Sequence, residues 1–205
     1  MYDNIKNLIE SRASVNNFDS SRALDDQQLA ELVRLATLAP SAYNFQNWKF
    51  IAVRSPQAKA RLLSVAYGQK KVVEASVTFI VCGTLAAHEG LAGALQPSLD
   101  AGILNAAMLE SWLGMAQGAH RDNPQLQRDE AVRSASLAAM TLILAAEGMG
   151  LDTCPMGGFD QQGVAREFGL SERDVPVMLV TEGYATQENW PQKPRRPLAE
   201  VMEFA

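Results

Sequence analysis

Apolar positions first recur at helical spacing at Leu29, Leu32, Val33 and Ala36, which predicts an amphipathic helix over residues 25–39. Asp25, followed three residues later by Gln28, reads as its capping box; Pro40 stops the helix and opens a polar loop. Residues 48–53 then read as a strand. Ser55-Pro56 joins a capping hydroxyl to a proline suited to a first helical turn, so a second helix is predicted toward Tyr67, ended by Gly68. Residues 77–82 form a nearly continuous β-branched and aromatic run, the pattern of a central strand covered on both faces. The mostly apolar stretch 99–117 predicts one helix, with Asp122-Asn123-Pro124 breaking the chain after it. Over 128–147, alanines and serines surround Leu137, Met140, Leu142, Ile143 and Leu144, giving a helix apolar almost all round that belongs at the centre or in a subunit interface. Gly148 and Gly150 stop it, and a short strand follows over 152–154. Asp160 caps a helix that runs to Phe168 before Gly169, and 177–182 is a further buried strand. The stretch 189–197, rich in proline and basic residues, predicts an extended tail before a last short helix from Leu198.

Composition narrows this picture to one ordered α/β or α+β domain over residues 1–205, since 47% of the residues are hydrophobic and 20% charged. A net charge of -5 leaves no basic footprint for nucleic acid or an anionic membrane, so a small-molecule partner is expected. The longest apolar runs, around 75–87 and 135–146, fall short of the roughly 18 residues a spanning helix needs, and neither is expected to cross a bilayer. The N-terminus lacks the apolar core of a secretory signal, which makes the cytoplasm the expected location. Cys82 and Cys154 sit in apolar surroundings without Cys-x-x-Cys spacing and are expected as buried free thiols. His88 and His120 are not spaced with carboxylates as metal ligands, so no metal site is expected.

Several dispersed segments carry candidate chemistry. Arg12 and Ser14, in Arg12-Ala13-Ser14-Val15-Asn16, stand two residues apart in a loop or strand, where alternate side chains share a direction and reach one anion. Lys193 and Arg195 offer the same geometry in the tail, although either basic pair also reads as solvated surface charge. The chain has neither Gly-x-Gly-x-x-Gly nor Gly-x-x-x-x-Gly-Lys-Ser/Thr, so phosphate binding would fall to distributed Arg and Lys contacts. Between Pro40 and Trp48, Ser41, Asn44 and Gln46 supply donors and acceptors for a heterocycle's polar edge, or simply form a connecting loop. In Pro155-Met156-Gly157-Gly158-Phe159, the paired glycines allow close backbone approach to a ligand, or form a plain tight turn. Gln69 and Lys71 add an amide and a cation, with Lys70 an adjacent competitor.

The order and spacing of these segments resemble the FMN-dependent NAD(P)H nitroreductase family of the oxygen-insensitive type. The pattern Pro-Ser-x-x-Asn-x-Gln-x-Trp over 40–48 is among its strongest parts, with the stretch 128–159 and Lys193-Pro194-Arg195. The resemblance implies an α+β three-layer sandwich, a central mainly antiparallel sheet flanked by helices, and an intertwined homodimer with FMN at the subunit boundary. It implies that Arg12, Ala13, Ser14, Asn16, Lys193 and Arg195 gather at the phosphate. Pro40, Ser41, Asn44 and Gln46 would reach the flavin bound mainly by the other subunit. Gln69 and Lys71 would lie at the pyrimidine edge, where a cation near N1 and O2 stabilises reduced flavin. Pro155, Met156, Gly157 and Gly158 would cover one ring face and give a backbone hydrogen bond to N5. NADH or NADPH is the implied hydride donor, and nitroaromatics or quinones are the implied acceptors, with no enzyme nucleophile required. The chain departs from the pattern at Ala13 and Asn16, which replace common basic residues, at Asn47 in place of a proline, and at Gly157, a glutamate in some relatives. These departures leave two alternatives: a specialised FMN reductase of an enone, halogenated aromatic or other metabolite, and a non-catalytic FMN-binding sensor or store.

Overall fold

A computed structural model describes residues 2–205. Its centre is a sheet of β1 (Trp48–Val53), β2 (Val77–Thr84), β3 (Asp152–Met156) and β4 (Asp174–Gly183), in the order β1-β2-β4-β3 with every neighbouring pair antiparallel. An isolated parallel bridge joins Ser14 to Thr153 on the outer side of β3, so the N-terminal segment extends that edge. The inner strands β2 and β4 are buried almost throughout, as expected of β-branched runs covered on both faces.

One sheet face packs on α2 (Asp26–Ala36) and α7 (Pro124–Gly148) through Leu29, Leu32, Phe79, Val81, Ala139 and Leu142. The other carries α3 (Pro56–Val65) and α8 (Gln161–Glu167), closed by Leu62, Ile80, Leu179 and Val164. The result is the three-layer α+β sandwich. The small residues of α7 let it approach the sheet closely: a Cβ added at Gly83 of β2 would lie 2.2 Å from the Ala131 carbonyl oxygen. Only glycine fits there without moving backbone.

Local signals place most boundaries. Gln28 N–H donates to Asp25 Oδ1 at 2.7 Å and Asp25 N–H donates to Gln28 Oε1 at 3.0 Å, closing the capping box of α2. Ser55 Oγ caps α3 ahead of Pro56. Asn123 Oδ1 accepts from Leu126 N–H at 3.0 Å, so Asn123-Pro124 begins α7 as well as breaking the chain before it. At 25 residues α7 is long and apolar enough to cross a membrane, yet its small-residue face lies on the sheet and α2.

One expectation changes, and two helices appear where none was expected. Residues 99–117 are not one helix: α5 (Leu91–Asp100) ends before Gly102, at φ 69°, and α6 (Ala106–His120) starts afresh from the Asn105 cap. Apolar composition carried the reading across that break, because Ile103 and Leu104 disguise a turn. Residues 69–74 contain a one-turn helix, α4 (Lys71–Glu74). An additional helix, α1 (Tyr2–Ser11), leaves Ile5 and Ile9 about half exposed, at 54% and 53%.

Candidate functional site

The two ends of the chain meet beside β3. Val15 N–H donates to the Thr153 carbonyl at 3.0 Å, and Gln192 Nε2 donates to the Arg12 carbonyl at 2.9 Å. Asn189 Oδ1 accepts from the backbone N–H groups of Asn16 and Asn17, at 2.7 and 3.0 Å. These bonds hold Arg12, Ser14, Pro191, Gln192, Lys193 and Arg195 around one cleft of about 70 Å³. Among the described residues none of Arg12, Lys193 and Arg195 is paired with a carboxylate. Uncompensated cations around a small cleft are the kind of lining that could hold a phosphate-sized anion. Lys193 Nζ rests 5.0 Å from the Trp190 ring centroid and Arg195 donates to the Lys193 carbonyl, so both side chains are already held near the cleft.

The amide and lysine of the 69–71 segment join the same edge. Lys71, half-buried, directs Nζ to Asn16 Oδ1 at 2.7 Å and Cys154 Sγ at 3.4 Å, whereas Lys70 is exposed. The choice between the two lysines is therefore made by α4, whose first turn points Lys71 inward. Gln69 Nε2 donates to the Gly158 carbonyl at 2.7 Å, tying this segment to the turn after β3. Pro155 is exposed and Met156 buried, as alternation at the end of β3 requires, and Gly157 and Gly158 beyond the strand are both exposed. Neither glycine has positive φ, and a Cβ at Gly157 would meet nothing within 4 Å. The turn does not need glycine for its backbone; glycine leaves its outer surface bare.

The loop after α2 is placed elsewhere. Pro40, Ser41, Asn44 and Gln46 lead into β1, at the opposite edge of the sheet from β3, three inter-strand steps or roughly 14 Å away. Tyr43, Asn44 and Gln46 all adopt left-handed backbone, at φ 52°, 57° and 50°. Such geometry costs non-glycine residues energy and persists only where the surroundings enforce it. Ser41 Oγ accepts from Gln46 N–H at 2.9 Å, and Phe45 packs edge-on to His120 with ring centroids 5.2 Å apart. Tyr43 adds a contact to Trp112 at 6.3 Å. The loop is rigid and displays its polar groups away from its own chain's basic cleft. Asn47, in the position of the family's proline, is buried and donates to the Thr84 carbonyl at 3.2 Å.

Ala13 is half-buried beside Arg12 and presents only its backbone and a methyl group. Sequence reasoning missed Asn189 and Gln192, whose amides fasten the N-terminal segment to the tail. A lone amide in a proline-rich stretch gives no local signal for a partner some 170 residues away. The two thiols also differ. Burial, then the nearby Asp174 charge, pushes the Cys82 thiol up to about 12, while Cys154 contacts an amine.

The chain is similar to known proteins over most of its length. The profile described as the nitroreductase family matches residues 9–184. YodC of Bacillus subtilis, provisionally named an NAD(P)H nitroreductase, is 39% identical over 198 residues, covering 97% of both chains. A provisionally named nitroreductase from Exiguobacterium sibiricum, solved in complex with FMN, superposes with a TM-score of 0.91 at 27% identity, over 98% of this chain and 97% of that one. The CLA biosynthesis enone reductase of Lactiplantibacillus plantarum is 28% identical over 200 residues, 92% of each chain. The family match spans the whole sheet and the N-terminal side of the basic cleft, ending before the tail that closes it, and the chain belongs to the nitroreductase family.

Proposed function

We propose that this protein is an FMN-dependent oxidoreductase that passes hydride from NADH or NADPH to nitroaromatic or quinone acceptors, the nicotinamide leaving before the acceptor enters. The observation that carries this reading is the unpaired basic cleft joined through Asn16 and Lys71 to the turn after β3. A ligand with a phosphate at one end and a polar ring at the other suits that sequence of groups. When bound, FMN supplies the atom, N5, that takes and gives hydride.

The chain's own residues bind and orient. Arg12, Ser14, Lys193 and Arg195 would hold the phosphate, with Ala13 and Asn16 lining the approach through their backbone. Lys71 would place its positive charge at the pyrimidine edge, and Gln69 would brace the turn there. Pro155, Met156, Gly157 and Gly158 would back one ring face and leave the other open to two planar ligands in succession. Asn16 contributes no charge in place of a basic residue, which shifts phosphate binding onto Arg12, Lys193 and Arg195.

The reading includes a homodimer, because Pro40, Ser41, Asn44 and Gln46 are a sheet's width from their own chain's cleft and would serve a second copy's flavin. An apolar groove lined by Ile5, Ile9, Leu38 and Leu144 between α1, α2 and α7 supports such an association, as does the wholly exposed tail beyond Trp190. The bare surface at Gly157 and the likeness to an enone reductase favour a second reading, reduction of an enone, with more room over the ring.

The test is anaerobic mixing of the purified, FMN-loaded protein with NADH or NADPH, then with a nitroaromatic, a quinone or an enone, while flavin absorbance is followed. Bleaching followed by recovery on one acceptor class supports turnover and selects that class. Bound FMN that neither nicotinamide reduces would favour a sensor or store, and failure to bind FMN would reject the proposal.

A further inference from the structure

Lys71 Nζ and Cys154 Sγ are 3.4 Å apart, and Asn16 Oδ1 keeps the amine in place at 2.7 Å. The thiol is on β3 next to exposed Pro155 and keeps 6% of its surface open, against 0% for Cys82, and the lysine is half-buried. Cys82 provides a contrast within the same core layer. Among the described residues it makes no hydrogen bond to an amine, and burial first and the Asp174 charge second push its thiol up to about 12, against a smaller opposing effect of the Lys49 charge. Thiols in such a state are inert to oxidants.

We propose that Lys71 and Cys154 form a peroxide-driven, reversible covalent switch at the candidate flavin site. Hydrogen peroxide takes two electrons from Cys154 Sγ: an S–O bond forms, the O–O bond breaks, and one water leaves. The Lys71 amine lone pair then attacks Sγ; an S–N bond forms, the S–O bond breaks, and hydroxide departs with an amine proton as the second water. One thiol, one amine and one peroxide thus become one sulfenamide and two waters. Two small-molecule thiols reverse it, returning the thiol and amine and leaving as a disulfide. The link converts the only inward-facing lysine of α4 into an uncharged group and draws it off Asn16. Its chemistry depends on the Lys–Cys geometry alone; its effect on FMN rests on the function proposed above.

The experiment treats the full chain, with and without FMN, with hydrogen peroxide and maps its peptides without reductant. The expected product is a peptide pair joined through Lys71 and Cys154, roughly 2 Da lighter than the two peptides apart, as a sulfenamide requires. Dithiothreitol should dissolve it, and Cys82 should stay unmodified. FMN should be held about tenfold more weakly after linking, the size of one lost charge-assisted contact. Lys71→Arg, which keeps a charge but offers no amine nucleophile, should form no link and keep its FMN affinity through peroxide treatment. Cys154→Ser should do the same. Oxidation of Cys154 to sulfinic acid with Lys71 free, or equal oxidation of Cys82, overturns the linkage. A link that leaves FMN retention unchanged overturns the switch. If the untreated protein binds no FMN, the flavin reading fails by itself, and peptide mapping still decides whether the link forms.

Discussion

The two edges of the sheet solve different problems. At the β3 edge the chain gathers residues from near its two ends, Arg12 and Arg195, onto a strand in the last third of the sequence, and hydrogen bonds to Asn189 and Gln192 hold them. At the β1 edge three closely spaced polar residues, Ser41, Asn44 and Gln46, are displayed by a loop with three left-handed non-glycine residues, braced by Phe45 against His120. The first edge is a site made by one chain from distant parts. The second is a local element set apart from its own chain's basic cleft, which is how a shared site between two copies would be built.

The sharpest way to break this comparison is to remove the cations of one edge. Replacing both Arg12 and Arg195 by alanine should weaken FMN binding about hundredfold, corresponding to roughly 3 kcal/mol for two charge-assisted contacts. Titration of the purified variants with FMN, followed by fluorescence, measures it; unchanged affinity would show that the basic cleft is not the phosphate site.

A mixed dimer separates the edges. Arg195→Ala damages only the cleft and Ser41→Ala only the loop, so a heterodimer of the two variants holds one site with both lesions and one with neither. It should recover about half of the wild-type rate, as expected when oligomer symmetry is broken so that one of two equivalent sites is intact. Activity no higher than the average of the two parents would mean each chain uses its own loop. Ser41→Ala alone should lower kcat/KM about tenfold by freeing the strained loop, with FMN affinity changed by less than about threefold. Steady-state kinetics beside the FMN titration reads both.

The smallest effect probes the sheet beneath the β3 edge. Glu182, in register between Val77 and Thr153, is fully buried with neither carboxylate oxygen partnered, and burial holds its carboxyl well above the usual range. The folded state thus keeps a proton that the unfolded chain releases. Stability from this group is complete below the unfolded value of about 4.3 and declines as pH rises toward the raised folded value, by up to about 1.4 kcal/mol per unit. Glu182→Gln should therefore raise the melting temperature at pH 8 and have little effect near pH 4. Equal shifts at both would place the effect in packing instead of ionisation.

Elements with local causes were legible in the chain. The Asp25–Gln28 box, the strand at Trp48 and the stops at Gly68 and Gly169 each depend on a few neighbouring residues, and each stands where its signal lies. The one-helix reading of 99–117 failed because hydrophobicity alone cannot distinguish a buried turn from a helix, and Leu104 is buried within the turn. In the candidate site, residue types were readable and geometry was not. Lys70 and Lys71 are equivalent in composition until α4 turns one toward Asn16 and Cys154.

By itself the sequence determined the sandwich's parts: which segments are strands, which helix is small-faced enough to lie against the sheet, and which dispersed cations and amides could serve a flavin. The strands and helices follow from period, capping and side-chain chemistry, which act over a few residues, whereas the flavin assignment follows from resemblance to a family. Only the tertiary structure decided that Arg12 and Arg195 share a cleft, that Lys71 faces Cys154, and that the Pro40 loop stands a sheet's width from its own chain's basic site. Such relations depend on strand order and on contacts between residues 83 or more positions apart, and no local pattern encodes that distance.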